Sequence, residues 1–175
     1  MTEVIEKIKS RRSIRSYKDT PVPRPLIDQI IEAGLYAASG KNRQDCIIIS
    51  VTNRAMCQRI KALNRQIGGY ADDFDPFYGA PAMLIVLADK SEPNHVYDGS
   101  LVMGNLMLAA HDLGLGSCWI HRARQEFETP EGRQILSDLG ISGEWEGIGH
   151  CALGYIDGDY PAPLPRKGNR VFHIE

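Results

Sequence analysis

Long apolar runs are missing from this 175-residue chain. None approaches the ~20 residues that a membrane-crossing helix needs, and the stretch after Met1 has no apolar leader-like segment. The expected protein is therefore cytoplasmic, with no membrane partner. A charge excess is also missing: 20 Lys plus Arg stand against 22 Asp plus Glu, a formal net charge of -2. General attraction to nucleic acid is excluded on that balance, so any anion-binding site must be a local cluster. Cysteine is sparse and unpaired in spacing. Cys46, Cys57, Cys118 and Cys151 fit neither a zinc site nor a dense disulfide framework, and read as thiols in a reducing compartment. His95, His111, His121, His150 and His173 are scattered without ligand spacing, so no metal site is expected.

The familiar catalytic and nucleotide motifs are absent as well. There is no P-loop, no Gly-x-Ser-x-Gly elbow and no His-Glu-x-x-His. Gly114-Leu115-Gly116 follows an expected helix instead of opening one, which argues against a dinucleotide-binding βαβ unit. The length suits one hydrophobic core, so residues 1–175 are read as one domain, with 157–175 as an extended arm within it.

What the chain does contain is two basic clusters far apart in sequence. Lys9-Ser10-Arg11-Arg12-Ser13-Ile14-Arg15-Ser16-Tyr17 joins fixed cations to hydroxyls, and Pro165-Arg166-Lys167-Gly168-Asn169-Arg170 supplies a second group. Guanidinium forks suit phosphate oxygens, although each run taken alone is equally a solvated face or a frayed end.

Hydrophobic periodicity places the elements between them. Helices are expected over Thr2–Lys9 and Pro23–Ser39, from an Asn53 cap through Leu63, over Asp98–Leu113, and over Glu128–Leu139 with Thr129 as cap and Pro130 at the first position. The 98–113 helix is apolar on nearly every face and carries Gly104, Ala109 and Ala110, so it reads as a central helix approached closely by others. Strands are expected over Cys46–Val51, Ala82–Ala88, Ser117–Ile120 and Gly147–Ile156. The glycines at 114 and 116 allow a tight turn and close approach by a planar group. Residues 38–45 form a polar loop able to present donors. Tyr70, Phe74, Phe77 and Tyr78 in residues 68–81 suit a lid, or the preferred alternative of packing a long loop onto the body. Val171–Ile174, after Pro161, Pro163 and Pro165, reads as an extended segment that crosses a neighbouring surface and pairs at a sheet edge, which favours a dimer.

Four segments together resemble the nitroreductase family of FMN-dependent NAD(P)H oxidoreductases: Arg11–Tyr17, Ala37–Gln44, Asn105–Ile120 and Arg166-Lys167. They follow the family's order and span nearly the whole chain. The resemblance implies an α+β fold with a central, mainly antiparallel β-sheet surrounded by helices. It also implies a homodimer with exchanged C-terminal arms and two interfacial FMN sites. It carries Arg11 and Ser13 to the ribityl phosphate, with Arg12 ranked lower, and Arg15 to the flavin's polar edge. Asn42 and Gln44 would face the flavin from the partner subunit, and Arg166 and Lys167 would close on the phosphate. Asn64 or Arg65 would reach the pyrimidine side. Ile120, His121 and Arg122 match the segment beside flavin N5, where several relatives carry an acidic side chain; His121 stands here and is given backbone positioning before proton transfer. No amino-acid nucleophile is implied. NADH or NADPH would donate hydride, and nitroaromatics, quinones or related small organic acceptors would receive reducing equivalents by a ping-pong mechanism. Specialised dehalogenation, flavin fragmentation, and FMN storage or redox regulation remain as alternatives.

Overall fold

Residues 82–88, Ala-Met-Leu-Ile-Val-Leu-Ala, contain no polar side chain, so a strand made from them has to be covered on both faces. The computed structural model describes residues 2–175 and places them in β2 (Ala82–Asp89), after β1 (Cys46–Val51) and before β3 (Gly116–Ile120) and β4 (Trp145–Gly154). The sheet order is β1-β2-β4-β3, and every pairing is antiparallel. The register shifts once between Val86 and Leu87, where Ile148 of β4 is the extra residue of a bulge.

Alternation along the strands sorts the core into two layers. Ile49, Met83, Ile85, Leu87, Cys118 and Ile120 face one way, with α3 (Arg54–Gly68), α5 (Ala123–Glu128) and α6 (Pro130–Asp138) on that side. Leu84, Val86, Cys151 and Leu153 face α2 (Arg24–Leu35) and α4 (His95–Asp112). A Cβ on Gly34 would lie 2.5 Å from Leu106 Cδ2, so the absent side chain is what lets α2 close on α4. Asn53 Oδ1 accepts from the Met56 N–H and Thr129 Oγ1 from the Gly132 N–H, as those residue types predict for helix caps.

Several boundaries differ from the sequence reading. Helix α2 stops at Leu35, short of Ser39, and α4 starts three residues early at His95. The helix expected over 128–139 is α6, capped by Thr129 with Pro130 in its first turn; the short α5 just before it was not expected, and the extended Thr129 (φ -76°, ψ 158°) separates the two. Strand β4 ends at Gly154, leaving Ile156 as an isolated bridge to Tyr17. Helix α4 is not covered all round: Tyr97 and Leu101 are exposed, and nothing lies within 4 Å of a Cβ built on Gly104. The space above Gly116 is filled by Ile14 and Ile156, so close approach there is internal packing and not room for a planar ligand.

Helix α1 (Glu3–Ser10) buries none of its residues, and Val4, Ile5 and Ile8 are open to solvent. Residues 171–174 form no strand and are exposed, so the expected sheet-edge pairing is not made within this chain. No helix among the described residues is long and apolar enough to cross a membrane.

Candidate functional site

Once α1 ends, residues 11–17 run extended along the outer edge of β3. The Ile14 N–H donates to Ser117 O at 3.0 Å, Ser13 is bridged in parallel to Ser117, and Tyr17 is bridged to Ile156. Period-two alternation buries Ile14 and leaves Ser13 half-buried and Arg15 exposed. Arg11 and Arg12 then differ sharply. Arg12 Nη1 donates to the carbonyls of Lys9 and Arg11 at 2.7 and 2.6 Å, and its N–H donates to the Tyr160 hydroxyl at 2.9 Å, so this side chain closes the helix end. Arg11 makes no side-chain hydrogen bond among the described residues and its Nη1 is buried; Arg12 also leaves Nε buried and unpartnered, but its Nη1 is engaged. Burial raises the Cys118 thiol pKa, opposed by the charge of Arg15, a hydrogen bond from Ser13 and the charge of Arg11, all from the segment bridged to β3. Neither Arg11 nor Arg15 has an ion-pair partner among the described residues. This is a cationic cradle with a free donor.

A second contact fixes the cradle's start. Ser10 Oγ lies 2.8 Å from His111 Nε2, and the Tyr160 hydroxyl lies 3.2 Å from His111 Nδ1 and donates to Ser10 O at 3.1 Å. The His111 pKa is lowered, by burial first and then by Lys7 and Arg11. Tyr160 thereby ties the C-terminal segment to the turn that delivers Arg11.

At the other end of β3, Ile120 is buried, His121 exposed, and Arg122 left-handed with φ 82°. Beneath them lies a wholly buried polar group. Asn64 Nδ2 donates to His121 O at 2.8 Å and also to Glu126 Oε1. Glu126 Oε2 is 2.8 Å from His150 Nε2, close but off the line of a hydrogen bond, and His150 Nδ1 is 3.4 Å from Ile120 O. Asn64, which the resemblance carries to a flavin's pyrimidine side, uses Nδ2 for its contacts to His121 O and Glu126 Oε1 and leaves Oδ1 buried without a partner among the described residues. It is fully buried and holds the 121 carbonyl. Sequence reading missed Glu126 and His150; their nearly complete burial appears only when α5 folds against β4. Arg65, the neighbouring alternative, is half-buried. Phe77 is a core residue, edge-on to His150 at 5.2 Å, and does not line an access route.

The 38–45 loop is at the opposite edge of the sheet. Its Gly40 N–H donates to Asp98 Oδ2 at 2.9 Å and its Gln44 N–H to Ser39 Oγ at 3.0 Å. Lys41, Asn42 and Gln44 all take positive φ, from 52° to 55°. Such crowding of left-handed residues without glycine is costly and marks a constrained loop. Asn42 and Gln44 are exposed, their amides 3.3 Å apart. Three strand spacings, about 14 Å in all, separate β1, which this loop feeds, from β3 and the cradle. One chain does not bring the two sets together. Nor does it bring Arg166 and Lys167 to the cradle: both are exposed, and Arg166 folds back onto Leu164 O at 3.2 and 2.7 Å. No group of His, Cys, Asp and Glu able to hold a metal occurs among the described residues.

Comparison with known proteins matches residues 8–155 to the model of the nitroreductase family. A Methanothermobacter thermautotrophicus protein with the provisional name NADH dehydrogenase/NAD(P)H nitroreductase is 38% identical over 121 residues, covering 67% of this chain and 60% of that protein. The FMN reductase [NAD(P)H] of Bacillus subtilis is 32% identical over 147 residues, covering 71% of this chain and 56% of that protein. The chain thus spans somewhat over half the length of these two relatives. A crystal structure of a nitroreductase with bound FMN from Bacteroides fragilis superposes over 100% of both chains with a TM-score of 0.89 at 29% identity. With the family model covering most of its length and the α+β fold matching throughout, the chain belongs to the nitroreductase family.

Proposed function

We propose that this chain is an FMN-dependent NAD(P)H oxidoreductase, one domain over residues 1–175, that works as a homodimer. The observation that carries the reading is Arg11 Nη1, a buried cationic donor without a partner, beside Ser13 and Arg15 and without a neighbouring carboxylate. A group left this way costs ~1–3 kcal/mol or more unless an acceptor arrives, and a phosphate dianion supplies oxygens for Arg11 and Ser13 together. The donor set fits FMN. Arg15 would hold negative charge at the flavin's polar edge, and the backbone of Ile120, His121 and Arg122 would lie beside N5. His121 acts through its backbone; its ring is exposed and tilted against Trp119 at 6.0 Å. Arg12 is a helix-closing residue that supports Arg11.

Held by Arg11, Ser13 and Arg15, FMN would supply hydride chemistry, taking reducing equivalents from NADH or NADPH and giving them to a small organic acceptor, such as a nitroaromatic or quinone, in alternating half-reactions. The protein's part is to bind, orient and bias charge. The thiols take no part: burial, Asp45 and Asp98 push Cys46 up to about 12, and burial and Cys118 push Cys151 up to about 12, so both stay protonated.

A second copy completes the site. Solvent-exposed Val4, Ile5, Ile8, Tyr97 and Leu101 leave α1 and one face of α4 uncovered, and the wide separation of Asn42 and Gln44 from the cradle is bridged when each loop serves the other chain. Arg166 and Lys167 would close on the phosphate from the arm in that dimer. The four free cysteines favour the cytoplasm. Steady-state oxidation of NADH and NADPH at several concentrations of nitrofurazone or menadione tests the reading. Parallel double-reciprocal lines that require added FMN are expected; converging lines, or turnover independent of FMN, would contradict it.

A further inference from the structure

The loop between α3 and β2 carries an aromatic ladder that the proposed cofactor site does not use. Tyr70 and Phe74 have ring centroids 4.7 Å apart, and Phe74 meets Tyr78 edge-on at 6.3 Å. An arginine stands at each end. Arg15 lies 5.9 Å from the Tyr78 ring, and Arg122 lies 4.7 Å from the Tyr70 ring while its Nη2 donates to the Tyr70 hydroxyl at 2.7 Å. The ladder therefore runs from Arg15 of the cradle to the left-handed turn at the end of β3.

The loop is held, not loose. Asp75 accepts from the N–H groups of Phe77 and Gly79 at 2.8 and 2.9 Å, and from Lys61 Nζ at 2.9 Å. Phe77 is anchored in the core. Yet Tyr70 and Phe74 remain 40% and 37% exposed, which is a rigid aromatic edge offered to something planar. Arg122 has no ion-pair partner among the described residues, and Tyr70 takes only one of its donors. Its φ of 82° costs ~1–2 kcal/mol for a residue with a Cβ, yet the Asn64 contact to His121 O holds the preceding residue in place. A charged fork is thus fixed at the end of an aromatic surface.

We infer that the Arg122, Tyr70 and Phe74 corner selects planar aromatic acceptors that carry a carboxylate, with Arg122 reading the charge and the two rings taking the aromatic face. This inference rests on the flavin-dependent reading of the same site. Guanidinium and carboxylate match as fork to fork, and the aromatic neighbour restricts the guanidinium's plane, so less ordering remains to be done on binding. Neutral aromatics keep the stacking and lose the charged contact.

The test compares 4-nitrobenzoate with 4-nitrobenzamide, a neutral acceptor of nearly the same shape, on the FMN-loaded enzyme and on Arg122→Gln. The ratio of the two kcat/KM values should fall by on the order of tenfold in the variant, the lower end for one charge-assisted contact, through the KM for 4-nitrobenzoate. Arg122→Gly provides a second variant that accepts the positive φ without strain, and the same fall is expected. An unchanged ratio in both variants would overturn the inference, as would a change confined to NADPH against NADH, which would assign Arg122 to the hydride donor. Equilibrium binding of 4-nitrobenzoate to the purified protein without a donor keeps the two readings apart. Absence of turnover with both acceptors defeats the reductase reading, while Arg122-dependent binding of the carboxylate supports the corner, and binding indifferent to Arg122 defeats it.

Discussion

Arg11 and Arg12 are adjacent, identical in chemistry, and put to different use because the backbone changes course between them. Arg12 Nη1 still reaches the carbonyls of Lys9 and Arg11 at the end of α1, although its Nε is buried and unpartnered, whereas Arg11 makes no side-chain hydrogen bond among the described residues and has Nη1 buried. Arg11→Ala should therefore weaken FMN binding by about 1.5–3 kcal/mol, read by quenching of FMN fluorescence on titration of apoprotein. Arg12→Ala should cost less affinity and lower the melting temperature instead. The motif named the right neighbourhood, but two arginines in a row carry no sign of which one is released from the helix end. Glu126 was illegible for a related reason: on paper it is one more acid of a polar helix, and only the packing of α5 on β4 seals it against His150 and Asn64. Glu126→Gln still offers an oxygen to the Asn64 amide. Glu126→Ala leaves buried groups unpaired and should cost about 1–3 kcal/mol in urea unfolding, several times the loss in the glutamine variant.

Among the elements, α1 and α4 present the clearest mismatch between composition and environment. Helix α1 leaves Val4, Ile5 and Ile8 exposed, and α4 exposes Tyr97 and Leu101 on the face that was expected to be core. Periodicity recovered both helices because an apolar stripe has the same spacing whether it meets its own chain or another. It did not say which surface covers it. Leu101→Glu should shift the protein to monomer in analytical ultracentrifugation and weaken FMN binding with it; a variant dimer that holds FMN normally would argue against this face as the contact. The four strands were found nearly in place because β-branched and apolar runs were bounded by turn residues. Thr129 and Pro130 marked the start of α6 correctly, whereas α5 before them was missed because six residues hold no periodic stripe long enough to stand out.

For the whole molecule, sealing both faces of one sheet also sets the response to alkali. In the folded state Cys46 and Cys151 keep their protons to about 12, well above the usual thiol value. As pH rises beyond about 8.5–9 the unfolded chain loses those protons first, so unfolding becomes more favourable and stability falls through the window up to pH 12. The urea midpoint should drop between pH 8 and pH 10.5, and Cys151→Ala should show a smaller drop than the parent. The central claim is that the cradle on β3 serves a flavin that takes hydride from a nicotinamide. Anaerobic stopped-flow mixing of the FMN-loaded protein with NADH and with NADPH tests it most directly. Rapid loss of the oxidised-flavin absorbance with at least one donor is the predicted result; tightly bound FMN that neither donor reduces would contradict it.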